Sequence, residues 1–224
     1  MNKLARLAIT VGSFISAITS AHADLYTIGQ TVNVKEVGVN PEEIVAINSS
    51  TLGNQTVYAG ITLLTIDGVA TKSFCIDPYQ WSSSSTQTYT ITNLANAPDT
   101  QQMGSSAAAT VSKLWAAYYQ DALTNAVTAA GLQIAIWETV AGNNFSVIGN
   151  NYGFQTMIDS VTLTNGQYYN ITPANLIGVS SRTYQDYVGQ NVPDAGTTLV
   201  LLGLGLVAMA VVGRKARSVA TTTN

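Results

Sequence analysis

Two apolar terminal segments decide how much of this 224-residue chain is free to fold as a globule. The start, Met1-Asn2-Lys3-Leu4-Ala5-Arg6, is short and positive. A mostly apolar run follows from Leu7 to about Thr19, and Ala21-His22-Ala23 stands before Asp24. Positive start, apolar centre and small residues at Ala21 and Ala23 read as a secretory signal peptide over 1–23. The alternatives are a buried N-terminal helix or an uncleaved anchor, but the run is short for a span of roughly 20 residues. At the other end, Val192-Pro193-Asp194-Ala195-Gly196 leads into an uncharged stretch and then Arg214-Lys215-Ala216-Arg217. Turn residues, apolar run and basic cluster, in that order, predict a short transmembrane helix over about 197–213, stopped by positive charge. Its 17 residues sit at the lower limit for crossing a bilayer. A polar tail, 218–224, ends the chain.

Setting both ends aside leaves a body of about 24–191, enough for one domain. Only 9% of the chain is charged, against roughly a quarter in ordinary soluble domains. Within the body, Lys35, Lys72, Lys113 and Arg182 face eleven acids. That mildly acidic balance cannot supply the basic face of a nucleic-acid binder.

The residue inventory excludes much conventional chemistry. The sole histidine, His22, lies in the signal segment, so the mature body has none. Ser-His-Asp and Cys-His catalysis and histidine-ligated zinc are thereby excluded, and one cysteine, Cys75, can form neither an internal disulfide nor a thiolate cage. No glycine-rich phosphate loop or dinucleotide fingerprint is present. The expectation is a protein without metal or cofactor that is not an enzyme. A hydrolase built on a carboxylate pair remains a weaker alternative, because no spacing among the acids nominates the pair.

Periodicity predicts an α+β body: a β-rich sandwich or barrel with a two-helix insertion, flanked by the signal peptide and the C-terminal transmembrane helix. Tyr26 to Val39 alternates loosely. Val57–Ile66 and Thr71–Ile76 flank Asp67-Gly68, a hairpin signal, and Gln87–Thr92 reads as a further strand. Gln80–Gln87 and Asn96–Gly104 read as loops. Ser105 or Ser106 is placed to cap a first helix carrying Val111, Leu114, Trp115, Tyr118 and Tyr119. Thr124 or Asn125 is placed to cap a second. On that second helix Val127, Ala130, Ile134, Trp137 and Ala141 share one face, and Leu132, Ile136 and Val140 another, the pattern of a buried helix. Met157–Thr164 and Gln167–Thr172 around Asn165-Gly166 predict a second hairpin. Tyr184–Asn191 reads as a spacer to the tail.

One polar residue interrupts the buried helix. Gln133 lies amid Leu132, Ile134, Ile136 and Trp137, and leaving its amide unpaired there would cost about 1–3 kcal/mol. It therefore needs a specific partner, or its amide has been consumed. Cys75, in Phe74-Cys75-Ile76-Asp77-Pro78-Tyr79, ends a predicted strand. A thiolate beside a buried carboxamide can attack it, release ammonia and leave a thioester, provided water is kept out. Phe74, Tyr79 and Trp137 are the aromatic residues nominated to wall such a pocket. The alternatives are an inert buried thiol or an intermolecular disulfide for Cys75, a core amide bonded to backbone for Gln133, and simple packing for Trp137.

Phe74-Cys75 followed by Leu132-Gln133-Ile134-Ala135-Ile136-Trp137 resembles the thioester domains of bacterial surface adhesins. In that family an aromatic-Cys strand motif faces a helix carrying apolar-Gln-x-Ala-Ile-Trp. The resemblance spans roughly residues 60–170 and implies Cys75 as the thiol and Gln133 as the acyl donor. Leu132 stands where the family often has Thr. The tail, Val192 to Arg217, resembles the PEP-CTERM class of sorting signals in its Val-Pro-Asp-Ser-Gly variant, with Ala195 in place of Ser. That resemblance implies an exosortase-type transpeptidase as processing partner and transient anchoring in the inner membrane. Together they imply an exported protein of the cell envelope or surface. Its single-turnover thioester would bond an amine- or hydroxyl-bearing surface or matrix target. The alternative is a passive extracellular matrix or biofilm protein with an inert Cys75.

Overall fold

The computed structural model describes residues 26–162 and 171–191. The predicted signal peptide, the predicted Asn165-Gly166 turn and the whole predicted sorting helix lie outside the described residues. One compact unit extends from Tyr26 to Asn191. Among the described residues the fold is a β-rich α+β arrangement with seven strands: β1 (Thr31–Ser49), β2 (Gly53–Ile66), β3 (Val69–Cys75), β4 (Gln87–Asn93), β5 (Phe145–Ile148), β6 (Leu176–Ser180) and β7 (Tyr187–Gln190). Three α-helices accompany them: α1 (Gly104–Ala122), α2 (Ala126–Ala141) and α3 (Phe154–Thr162).

The strands run in the order β2-β3-β7-β6-β4-β1-β5, and β1 also pairs with β2. That extra pairing closes six antiparallel strands into a ring, so the barrel alternative holds, with β5 added along the far part of β1. Closure removes exposed sheet edges. Strand β1 is long enough to serve three partners because it is bulged between Glu36 and Gly38 and between Val39 and Glu42. Pro41, which has no N–H for a ladder, falls within the second irregularity.

Two strands obey the predicted turn. Ile66 pairs with Val69, leaving Asp67 and Gly68 as a two-residue loop with φ of 48° and 84°. Both central residues sit in the left-handed region, as a type I′ hairpin turn demands, and Asp-Gly is well suited to it.

Two apolar clusters divide the core. The first joins inward residues of the ring, including Val34, Ile47, Leu64, Cys75, Tyr89 and Tyr187, to Ile134 and Trp137 of α2. The second lies between Ile61, Phe74 and Val188 of the strands and Val111, Leu114, Trp115, Leu132 and Ile136 of the helices. Helix α2 therefore contributes to both, which is why it is apolar nearly all round. Val127, assigned to the buried face, is instead exposed, because it lies in the first turn of α2.

The helix starts differ from expectation in one case. Asn125 caps α2, its side-chain oxygen accepting from the Thr128 N–H at 3.2 Å. Helix α1 begins at Gly104 with Met103 at its N-cap and no side-chain cap, so neither Ser105 nor Ser106 plays that part.

Two predicted segments are corrected. Residues 157–162 belong to helix α3 rather than to a hairpin strand, and Ile171 and Thr172 are not strand either. Apolar residues at Phe154, Met157, Ile158 and Val161 recur at helical spacing and meet the second core, so packing against α1 and α2 overrides the turn signal. The supposed spacer contains strand β7, with Tyr187 and Val188 fully buried. Beyond β7, the Asn191 side-chain oxygen accepts from the Tyr26 N–H at 3.1 Å, and its carbonyl accepts from the Asn175 side chain at 3.0 Å.

Candidate functional site: a cysteine and a glutamine joined across the core

Strand β3 ends at Cys75, and alternation sends successive side chains to opposite sides. Cys75 enters the barrel-side cluster, whereas Phe74 enters the helix-side cluster. Phe74 there meets Trp115 edge-on, with ring centroids 5.7 Å apart. The structure thus does not bring Phe74 to the thiol. Trp137 does lie with Cys75, one turn beyond Gln133 on α2, and both line a common cavity. Tyr79 is buried in the same cluster but does not line that cavity.

Gln133 is 1% exposed and its carboxamide is fully engaged. The Cys75 N–H donates to Oε1 at 3.0 Å, and Nε2 donates to the Cys75 carbonyl at 2.7 Å. The side chain thus pairs with the Cys75 backbone much as a neighbouring strand would, at the point where β3 ceases regular pairing. Across the opposite edge Cys75 is in register with Tyr187 of β7. The cysteine that the sequence left isolated is therefore gripped from α2 on one side and β7 on the other.

The thiol itself is buried, 4% exposed. Its hydrogen is placed to donate to the Asp77 carbonyl at 3.4 Å, and the Asp77 N–H donates back to Sγ at 3.4 Å. Burial pushes the thiol pKa far up, and the negative charges of Asp77 and Glu36 add to the rise. The Trp137 indole is the strongest influence in the other direction, although its N–H makes no hydrogen bond of ordinary geometry. At neutral pH the group is a thiol, so its reaction requires a proton acceptor.

The cavity beside it has a volume of about 210 Å³ and is lined by Cys75, Gln133, Trp137, Glu36, Trp81 and Tyr58, among others. Glu36, Trp81 and Tyr58 escaped the sequence reading. Glu36 lies beside a bulge, where the loose alternation of β1 hides which residues face inward. Its Oε2 accepts from the Tyr187 hydroxyl at 2.8 Å.

A second polar group lies behind the strand end. Asp77 is fully buried; its Oδ1 accepts from the Tyr79 N–H at 2.9 Å and its Oδ2 has no hydrogen-bond partner. Burial raises its pKa to about 6; the Tyr79 N–H and, more weakly, the Thr100 side chain, which makes no hydrogen bond of ordinary geometry to it, oppose the rise, and Asp99 adds to it. Asp186, also fully buried, accepts from the backbone N–H groups of Ser181 and Asp99. Burial raises it to about 7 despite those bonds, and Asp77 contributes to the rise. Among the described residues no group of acids, histidines and cysteines is arranged to hold a metal.

Comparison with known proteins agrees with the tail and touches the body. Residues 191–215 match the VPDSG-CTERM motif, a PEP-CTERM-like sorting signal. The body is similar to the N-terminal thioester domain of a surface protein from Clostridium perfringens. That likeness has a TM-score of 0.41 and 10% identity and covers 73% of this chain and 99% of that one. No curated protein matches the chain. The sorting motif marks the chain as an exported protein.

Proposed function

We propose that the chain is a surface-sorted protein whose Cys75 and Gln133 form an internal thioester for covalent attachment to an amine- or hydroxyl-bearing partner. The observation that carries this reading is the buried Gln133 carboxamide, held in both directions by the Cys75 backbone in a cavity that both residues line. Sγ attacks the Gln133 amide carbon. The carbon–sulfur bond forms, the carbon–Nε2 bond breaks, and the thiol proton leaves with the nitrogen as ammonia. The Cys75 N–H, already donating to Oε1, is placed to stabilise the negative charge that develops on that oxygen. A partner nucleophile later attacks the same carbon, keeps the acyl group and frees the thiol. The protein is consumed once per bond, so it is not an enzyme. The motif at the tail supports an exosortase-type transpeptidase as the processing partner, with passage through the membrane before release.

The passive reading, a matrix protein with an inert Cys75, is favoured by one fact: the two hydrogen bonds already satisfy the buried amide. Intact mass of the mature protein separates the two. The thioester lowers the mass by one ammonia, and methylamine replaces that deficit with one methylamine adduct on Gln133. Full sequence mass with Cys75 freely alkylated under denaturing conditions refutes the thioester.

A further inference from the structure

The cavity that reaches Cys75 and Gln133 has an uneven lining. Its walls are apolar or aromatic at Val39, Ile47, Leu52, Val57, Pro78 and Trp137, and neutral but polar at Thr56, Thr62, Ser82 and Gln185. Trp81 and Tyr58 are 53% and 60% exposed, so these aromatic groups also reach solvent. Among the described residues that line it the single charged side chain is Glu36. No cation offsets it there. An alkyl stem with a positive tip asks for apolar walls, aromatic faces and one carboxylate.

The position of Glu36 is set by the site itself. Tyr187, which fixes its Oε2, is the residue paired with Cys75 across β3 and β7. The carboxylate is thereby tied to the strand neighbour of the sulfur.

From this arrangement, and resting on the thioester reading above, we infer that Glu36 selects a primary alkylammonium as the acyl acceptor and takes its proton. A lysyl side chain or a polyamine is the chemical class that fits. An alkylammonium, with an ordinary pKa near ~10.4, is not a nucleophile at neutral pH until it loses a proton. Glu36 accepts that proton from R–NH3+. The free amine attacks the Gln133 acyl carbon, the carbon–nitrogen bond forms and the carbon–sulfur bond breaks. One proton of the amine nitrogen passes to the departing sulfur, leaving an amide and the Cys75 thiol. The proton on Glu36 returns to water. Glu36 lowers the desolvation cost of bringing a cation into the cavity as well as supplying the base.

The test uses the full mature protein and intact mass as the readout. The ammonia deficit is measured first; its absence from the wild-type protein overturns both the thioester and the Glu36 role. With the deficit present, cadaverine is compared with hydroxylamine, which is largely neutral at pH 7.5. Glu36→Gln is expected to slow cadaverine by about tenfold or more while changing hydroxylamine by less than about threefold. Equal slowing of both, or of neither, overturns the Glu36 role and leaves the thioester standing. A measurement on the wild-type protein covers a variant that does not fold. Tetramethylammonium, a cation that cannot react, is expected to slow the hydroxylamine reaction saturably. Equal concentrations of sodium chloride or tert-butanol are not. Protection no greater than that of sodium chloride overturns the role.

Discussion

Gln133 binds the backbone of Cys75 rather than its side chain, and this has a measurable consequence. Gln133→Leu removes the acceptor of the Cys75 N–H and the donor to its carbonyl in a site shut off from water. Each orphaned group costs on the order of 1–3 kcal/mol, so the expected loss is about 2–4 kcal/mol. Cys75→Ala keeps both backbone bonds and leaves only a small void, with an expected loss of about 1–2 kcal/mol. Both variants abolish any Cys75–Gln133 bond, so the difference between their denaturant midpoints isolates the backbone pairing. Equal midpoints would show that the carboxamide does not hold the end of β3. The need for a partner at Gln133 was legible in the sequence because an amide in a run of apolar residues is an anomaly. That its partner is a main chain was not legible, since every backbone offers the same two groups.

At the scale of elements, α2 is squeezed between neighbours. A Cβ added to Gly131 would lie 2.5 Å from the Tyr152 carbonyl oxygen and 2.9 Å from Met157 Cε. Glycine to alanine ordinarily stabilises a helix interior by up to about 1 kcal/mol. Here the backbone contact reverses the sign, and Gly131→Ala is expected to destabilise by about 1–3 kcal/mol. Thermal unfolding reads this directly; an increased melting temperature would refute the close approach. The elements that could be read from sequence share a trait: each carries its own local signal. Asp67-Gly68 dictates a turn whatever surrounds it, and α2 has Asn125 to start it. The elements that could not be read depend on distant partners. Strand β7 has four residues, too few for periodicity, and is a strand because β3 and β6 flank it. The same short strand hid Tyr187, and with it the link from Cys75 to Glu36. Phe74 departs from the expected pocket wall for a related reason: a residue next to Cys75 along a strand faces the opposite core.

For the molecule as a whole, the buried acids set a pH dependence. Asp77 and Asp186 have pKa values of about 6 and about 7, above the value near ~3.9 of an unfolded chain. The folded state therefore holds protons that the unfolded state has given up. Their contribution is fully present below pH ~4 and is lost as pH rises through about 6 and about 7. Unfolding free energy is expected to fall by a few kcal/mol, on the order of 2–4, between pH 5 and pH 8. Asp77→Asn keeps an oxygen for the Tyr79 N–H and should flatten that fall. A stability that rises over this interval would contradict the assignment. The body's two ends bear on its mechanics. Asn191 holds Tyr26, and β7 precedes it directly, so tension applied through a tether beyond Asn191 enters the body at β7. That strand meets β3 through only two residue pairs, Phe74 with Val188 and Cys75 with Tyr187. A pull on that leash is thus borne first by the Gln190 and Gly189 pairings with β6 and reaches Tyr187, beside Cys75, only after they part.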